Sequence, residues 1–244
     1  MEYSTAESES GPQRMNFISK AVGIFTNPKT AFENIQQKSE IWFPIVLMLA
    51  ITVISVLMTT DLQKQVQRDF INNSEIIPED RKVDMLDNLD KQGAVNEKIV
   101  PALSGAVGIF LYYAVIAAAF LLFGNFIYGG DSTFKKMFSL AAWGSLIGVL
   151  ESIIKIPLML WKGTVKVFIS PAVVMDVADS GTVFFKILDA FDIFAIWKII
   201  VFSIGFSVFY KISREKSYTA VISLYVLYLI ISIGLSQLFK GFIS

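Results

Sequence analysis

The sequence contains no cysteine and no histidine among its 244 residues. Disulfide bonds are therefore impossible, and so are thiol nucleophiles, imidazole bases, and zinc or haem sites with cysteine or histidine ligands. A metal site built only from carboxylates stays open. Neither sign of charge is in excess, because 21 Lys and Arg residues balance 21 Asp and Glu residues. Without a basic excess, the composition does not indicate nucleic acid as a partner.

Sequence motifs of known catalytic types are also missing. The chain has no Gly-x-Ser-x-Gly, no P-loop, no His-Glu-x-x-His and no aspartate-rich pattern of the lipid-synthase type. The acidic residues of segment 61–98 lack the spacing of a calcium-binding loop. We therefore predict that the chain is not an enzyme and uses no cofactor.

Hydrophobic residues dominate the composition, at 54% of the chain, with a mean hydropathy of +0.59. Soluble domains hold about 45–50%. The long apolar runs predict an all-α, polytopic membrane helical bundle with five transmembrane helices, each of about 20 residues or more. The predicted spans are 42–60, 99–128, 137–161, 192–210 and 218–239.

The remaining segments differ from the spans in composition. Residues 1–14 are rich in Ser and Glu and predict a disordered tail. Residues 15–41 predict two short helices, the second started by Asn27 and a following proline. These helices either lie at the membrane surface or pack under the bundle. Residues 61–98 predict an extramembrane helical hairpin with a solvated charged face, inserted in a five-span membrane domain of residues 42–240.

Loop charges predict the orientation of the bundle. The short loops 129–136 and 211–217 hold five basic and two acidic residues, whereas the segment 61–98 is net acidic. Because cytoplasmic loops carry an excess of Lys and Arg, we expect the N-terminus inside and the hairpin and C-terminus outside. The N-terminal residues lack an apolar signal-peptide core, so we expect the first span to direct insertion.

Three charged residues fall within the predicted spans. Glu151 and Lys155 lie one turn apart on the third helix, before Pro157, and Lys198 lies on the fourth. Both lysines are six residues from the outer end of their helix, about 9 Å inside. With Asn125, they form a candidate polar site for an ion, a proton or a headgroup. Alternatively, Glu151 and Lys155 pair structurally while the lysines extend toward the interface.

Small residues recur at four-residue spacing on the same third helix. These are Gly144, Gly148 and Ser152. Small side chains let membrane helices approach closely, so we predict a packing seam between the second and fourth helices.

Three segments together resemble the Yip domain family of five-span membrane proteins, named for Ypt-interacting proteins. Residues 25–35 (FTNPKTAFENI) are similar to the entry segment of prokaryotic members, which has Pro and Phe at this spacing. Residues 138–153 (FSLAAWGSLIGVLESI) resemble the third-helix stretch, and residues 191–207 (FDIFAIWKIIVFSIGFS) resemble the Asp-x-Phe-x-x-Trp start of the fourth helix. The resemblance extends over residues 15–240.

The resemblance implies five spans, a cytoplasmic N-terminus and an extracytoplasmic C-terminus. The chain lacks the Asp-Leu-x-Gly-Pro motif of eukaryotic members, so a role with small GTPases is not carried over. Its abundance of Ile, Lys and Phe fits a bacterial inner-membrane member. We predict a non-enzymatic scaffold or interaction protein whose partners are membrane lipids, a second copy or other membrane proteins. The alternative is a transporter or channel for an ion or small solute that uses Glu151, and a lipid enzyme has the least support.

Overall fold

The computed structural model describes residues 14–74, 76–93 and 95–243, and side chains as far as residue 238. Apart from Arg14, the predicted tail of residues 1–14 lies outside them. In the described ranges the chain forms ten α-helices and no strand. The helices are α1 (Phe17–Thr26), α2 (Pro28–Lys38), α3 (Trp42–Asn73), α4 (Glu79–Asp90), α5 (Val100–Leu122), α6 (Phe134–Gly144), α7 (Ile147–Lys162), α8 (Val183–Ala190), α9 (Ile193–Tyr210) and α10 (Arg214–Ile243). π-Helical turns (Val95–Ile99 and Phe123–Ile127) flank α5, and the turns Pro171–Val174 and Val177–Gly181 are 3₁₀.

Within the described ranges, five helical segments are long and apolar enough to cross a membrane. They are Trp42–Asn73, Val95–Ile127, Phe134–Lys162, Ile193–Tyr210 and Arg214–Leu238. The predicted all-α membrane bundle with five transmembrane helices is therefore confirmed. Below, the end of the bundle that carries residues 61–98 is the hairpin end, and the end that carries α1 and α2 is the N-terminal end.

The third span is two helices, α6 and α7, where the sequence predicts one continuous helix over residues 137–161. Between them, the Leu146 N–H donates to the Trp143 carbonyl at 3.1 Å and the Gly148 N–H to the Ser145 carbonyl at 2.8 Å. These are i→i+3 bonds, which tighten the turn relative to an α-helix. The span is thus interrupted near its middle, inside the bundle.

The core of the bundle surrounds α6 at the N-terminal end. Trp143, Phe32, Phe206 and Tyr113 are almost completely buried there. α2 packs against α9 and α6, and its Phe32 ring lies where a side chain on Gly205 would stand, 2.8 Å from the ideal Cβ position. Of the two alternatives for residues 15–41, packing against the bundle is therefore what α2 shows.

Residue Glu40 ties the α1–α2 hairpin to the centre of the bundle. Its carboxylate accepts hydrogen bonds from Lys38 Nζ at 2.8 Å and from Lys20 Nζ at 3.1 Å. Its backbone carbonyl accepts from Trp143 Nε1 at 2.6 Å. The hydrogen bonds from Lys38 and Lys20 hold the pKa of the Glu40 carboxyl below its usual value.

Helix α1 keeps an apolar face outside this core. Phe17, Ile18 and Val22 are exposed on it, and Trp42 at the start of α3 is 75% exposed. An exposed aromatic at a helix end is typical of the membrane–water interface. For α1, the alternative of a membrane-surface position stays a prediction.

At the hairpin end, α3 continues beyond its apolar part without interruption as far as Asn73. α4 folds back on it, and the π-helical turn leads into α5. Lys64 Nζ contacts Glu97 Oε1 at 2.7 Å, and Arg68 pairs with Asp90. Ile71 and Leu89 are buried. The predicted hairpin thus shares its first arm with the first span.

Candidate functional site

Each of the two oxygens of the Glu151 carboxylate accepts a hydrogen bond from a lysine. Lys155 Nζ donates to Oε1 at 2.7 Å, and Lys198 Nζ donates to Oε2 at 2.8 Å. The first bond stays within α7, where residues four apart share a face. The second joins α7 to α9. The structure therefore brings together the three charged residues that fall within the predicted spans.

Asp192 is a fourth member of this cluster, and sequence reasoning missed it. Its Oδ2 lies 3.5 Å from Lys155 Nζ. Its Oδ1 accepts from the Ala195 N–H at 2.6 Å, which caps the first turn of α9. The signal was present, because an Asp at a helix start is a common N-cap and this one precedes Lys198 by six residues. The cluster of Glu151, Lys155, Asp192 and Lys198 carries no net formal charge.

The local sequence of α7 explains why this cluster lies inside the bundle. α7 begins after the interruption of the third span, so its Glu151 face points toward α9. Pro157 has no N–H, which leaves the Ile153 carbonyl without its helical donor. The side chains of Glu151, Lys155 and Lys198 are only 20–25% exposed. Charges at this depth are costly when unpaired, and the pairing offsets that cost.

A cavity of about 340 Å³ adjoins the cluster. Its lining includes Glu151, Lys155 and Lys198, with Tyr113 and Ser145 deeper in the bundle. The hydroxyls of Tyr113 and Ser145 are buried and make no hydrogen bond of normal geometry with the described residues. The cavity therefore offers polar groups beyond the ion pairs themselves.

A second cavity of about 310 Å³ meets the first at Lys198 and Tyr112, which line both. We call it the groove. It lies between α5, α9 and α10, and its walls are mostly apolar. The lining residues are Tyr112, Val115, Ile116, Ala119, Phe120, Ala195, Lys198, Ile199, Phe202, Val221, Leu224, Tyr225 and Tyr228.

The predicted site member Asn125 lies elsewhere. Its Nδ2 donates to the Ser132 carbonyl, and its Oδ1 accepts from the Ser132 N–H, both at 3.1 Å. Tyr210 Oη also donates to Oδ1, at 3.0 Å. Tyr210 is twelve residues after Lys198 on α9, which corresponds to about 18 Å of rise. The amide therefore organises the turn after α5 at the N-terminal end, and its placement with the cluster is wrong.

The predicted small-residue seam is divided between two neighbours. A Cβ on Gly144 would meet Phe202 of α9 at 2.4 Å, whereas one on Gly148 would meet Met48 of α3 at 3.6 Å. Ser152 lines the cavity and donates to the Gly148 carbonyl at 2.9 Å. The interruption between α6 and α7 turns these residues away from a common face, so the seam does not join the second and fourth helices.

The described residues contain no group of three or more acidic residues that could hold a metal ion. The cluster supplies only two carboxylates, and lysines occupy both. Its chemical capacity lies in the lysines, since an ammonium group has three N–H donors. Among the contacts of the described residues, Lys198 Nζ uses one donor, on Glu151. The site can thus join helices and also donate hydrogen bonds to an acceptor.

The five apolar helices and the ion-paired cluster between them define an integral membrane protein. The chain belongs to the Yip1 domain family, whose family model matches residues 22–236. It is similar to the membrane protein YknW of Bacillus subtilis (strain 168), with 24% identity over 226 residues that cover 91% of this chain and 90% of the relative. No solved structure matches the chain. The resemblance to the Yip domain family is thereby confirmed.

Proposed function

We propose that this chain is a non-enzymatic scaffold or interaction protein of the bacterial inner membrane. The observation that carries the proposal is the pairing of Glu151. Both of its oxygens are bonded to lysines of the same chain, so its charge is balanced within the chain, and a proton or an ion at this carboxylate would have to compete with two ion pairs. The cluster then acts as a tie between α7 and α9.

Exposed apolar surface supports an interaction role. The third span is the most buried of the five, and the fifth is the least. α10 therefore offers most of its length to lipids or to another membrane helix, while α1 offers Ile18 and Val22 at the N-terminal end. The partners we propose are membrane lipids, a second copy of the chain or other membrane proteins, and not nucleic acid.

The test is photo-crosslinking in intact cells from single positions. A benzoylphenylalanine at Ile18 or at Leu227 should give a discrete protein adduct, since both positions are exposed. The same group at Phe32, which is fully buried and already carries an aromatic ring, is the matched control and should give none. Mass spectrometry of the adduct distinguishes a second copy from another protein. The absence of a protein adduct from both exposed positions contradicts the proposal.

We further propose a cytoplasmic N-terminus and an extracytoplasmic hairpin, as the loop charges predict. The chain has no cysteine, so single introduced cysteines report cleanly on sidedness. Asn88→Cys in α4 should react with an impermeant maleimide in intact cells, and Glu215→Cys at the start of α10 only after lysis. The reverse pattern would refute this orientation.

A transporter or channel is the second candidate, and the cavity beside Glu151 favours it. The cavity of about 340 Å³ reaches the interruption of the third span, and broken helices line the substrate sites of many transporters. On this alternative, Glu151→Gln and Glu151→Leu should each abolish ion or solute flux in proteoliposomes while the fold stays intact. Unchanged flux in both variants excludes it.

A further inference from the structure

The groove between α5, α9 and α10 changes from polar to apolar along its length. Lys198, Tyr225 and Tyr228 line the part nearer the hairpin end, whereas Phe120 and Phe202 line the part nearer the N-terminal end. From Tyr112 to Phe120 the groove follows eight residues of α5, or about 12 Å of rise. One end thus presents an ammonium and phenol groups, and the rest presents hydrocarbon.

The groove also faces the membrane rather than the interior. α10 packs mainly on α9, and α5 packs mainly on α6, so α5 and α10 form two walls above α9. Val115 and Tyr228 on those walls are exposed. A molecule in this groove would be surrounded on its open side by lipid, which restricts the occupant to something soluble in the bilayer.

The polar end of the groove offers hydrogen-bond donors that suit a phosphate. Lys198 has N–H donors beyond the one bonded to Glu151, and these donors remain available while that bond is kept. The neighbouring Lys155 and Asp192 carry opposite charges and pair with each other. A single phosphodiester therefore meets an available ammonium without displacing an existing ion pair.

We propose that the groove holds one glycerophospholipid, with its phosphodiester at Lys198 and an acyl chain along α9 toward Phe202. This site is independent of the scaffold role. If the hairpin end is extracytoplasmic, as proposed above, the bound lipid belongs to the outer leaflet. The bound lipid fills the space between α5 and α10. Its phosphodiester contacts Lys198 of α9, the same residue that bonds Glu151 of α7.

Native mass spectrometry tests this with full-length protein. The protein is stripped of lipid in mild detergent and then titrated with phosphatidylglycerol and, separately, with phosphatidylethanolamine. We expect saturation at one lipid per chain. Because a hydrogen bond to a charged group is involved, Lys198→Met should weaken binding roughly tenfold or more, and Lys198→Arg should retain it. Lys166→Met, an exposed lysine outside the groove, is the matched control and should bind normally.

A second variant leaves the ion pairs in place. Ala119→Phe should fill the apolar part of the groove and weaken lipid binding, whereas Leu111→Phe on the exposed face of α5 should not. Soluble glycerol 3-phosphate in excess should fail to displace the lipid. Unchanged binding in either Lys198→Met or Ala119→Phe overturns the proposal. Displacement by glycerol 3-phosphate overturns it too, because the site would then be one for a free phosphate.

Discussion

Removing the charge of Glu151 should destabilise the bundle mainly through Lys198. In Glu151→Leu, Lys155 keeps Asp192 at 3.5 Å, whereas the described contacts show no second acidic partner for Lys198. An unpaired ammonium inside a membrane bundle is costly. Adding Lys198→Met removes that ammonium, so the double variant should recover much of the lost stability.

The expected loss of stability depends on how exposed the paired side chains are. Breaking a buried ion pair by removing one partner costs about 3–5 kcal/mol, whereas exposed pairs contribute roughly 0–1 kcal/mol. The side chains of Glu151 and Lys198 are 20% and 25% exposed. We therefore expect Glu151→Leu to lower the free energy of unfolding by about 2 kcal/mol. The double variant should cost about 1 kcal/mol or less, because replacing both partners by apolar groups is often nearly neutral.

The assay is a double-mutant cycle on the free energy of unfolding. Unfolding in mixed micelles of dodecyl maltoside and SDS can be followed by tryptophan fluorescence, since the chain has four tryptophans. We expect a coupling of about 1–2 kcal/mol between Glu151 and Lys198, and none between Glu151 and the exposed Lys166. A double variant that costs the sum of its two single variants refutes the ion-paired tie.

Two further predictions concern the N-terminal end. A Cβ on Gly205 would lie 2.3 Å from Leu140 Cδ1, so Gly205→Ala should cost about 1–3 kcal/mol through overpacking and lower the melting temperature in detergent. Gly234→Ala should not lower it, because a Cβ on Gly234 would meet nothing within 4 Å among the described residues. The lowered pKa of Glu40 implies stabilisation that is complete above about pH 4.3 and lost as the pH falls through the lowered pKa. The melting temperature should therefore fall more steeply between pH 5 and 3 than in Glu40→Gln, and equal slopes would contradict this.

Sequence reasoning succeeded where physical length and depth decide the result. A bilayer requires about 20 apolar residues for each helix, which makes the five spans visible as composition. The same arithmetic places Lys155 and Lys198 at one level, because antiparallel neighbours with equal distances to one end meet there. It did not predict the bond from Lys198 to Glu151, which lies one turn deeper. Asp192 was within reach of this reasoning, but its contact with Lys155 also depends on how α7 and α9 cross.

The interruption of the third span was not predicted, and the Gly144–Ser145 pair is the one local signal for it, since helices kink at Gly/Ser pairs. Residues 144–147 are continuous with apolar neighbours and contain no proline. The break depends on partners distant in the chain, since the Phe202 ring occupies the space beside Gly144. The position of Asn125 was missed for the same reason: Ser132 and Tyr210 take up its amide.

The most direct test of the central claim, that the Glu151 cluster joins helices rather than carrying a solute, is flux in proteoliposomes. The variant to compare with the unmodified protein combines Glu151→Leu with Lys198→Met, since it should keep the fold. The measurement is the decay of imposed proton and potassium gradients. We predict that, in liposomes with the unmodified protein or with this variant, both gradients decay at the rate seen in protein-free liposomes. Faster decay with the unmodified protein that disappears in the folded variant would contradict the claim.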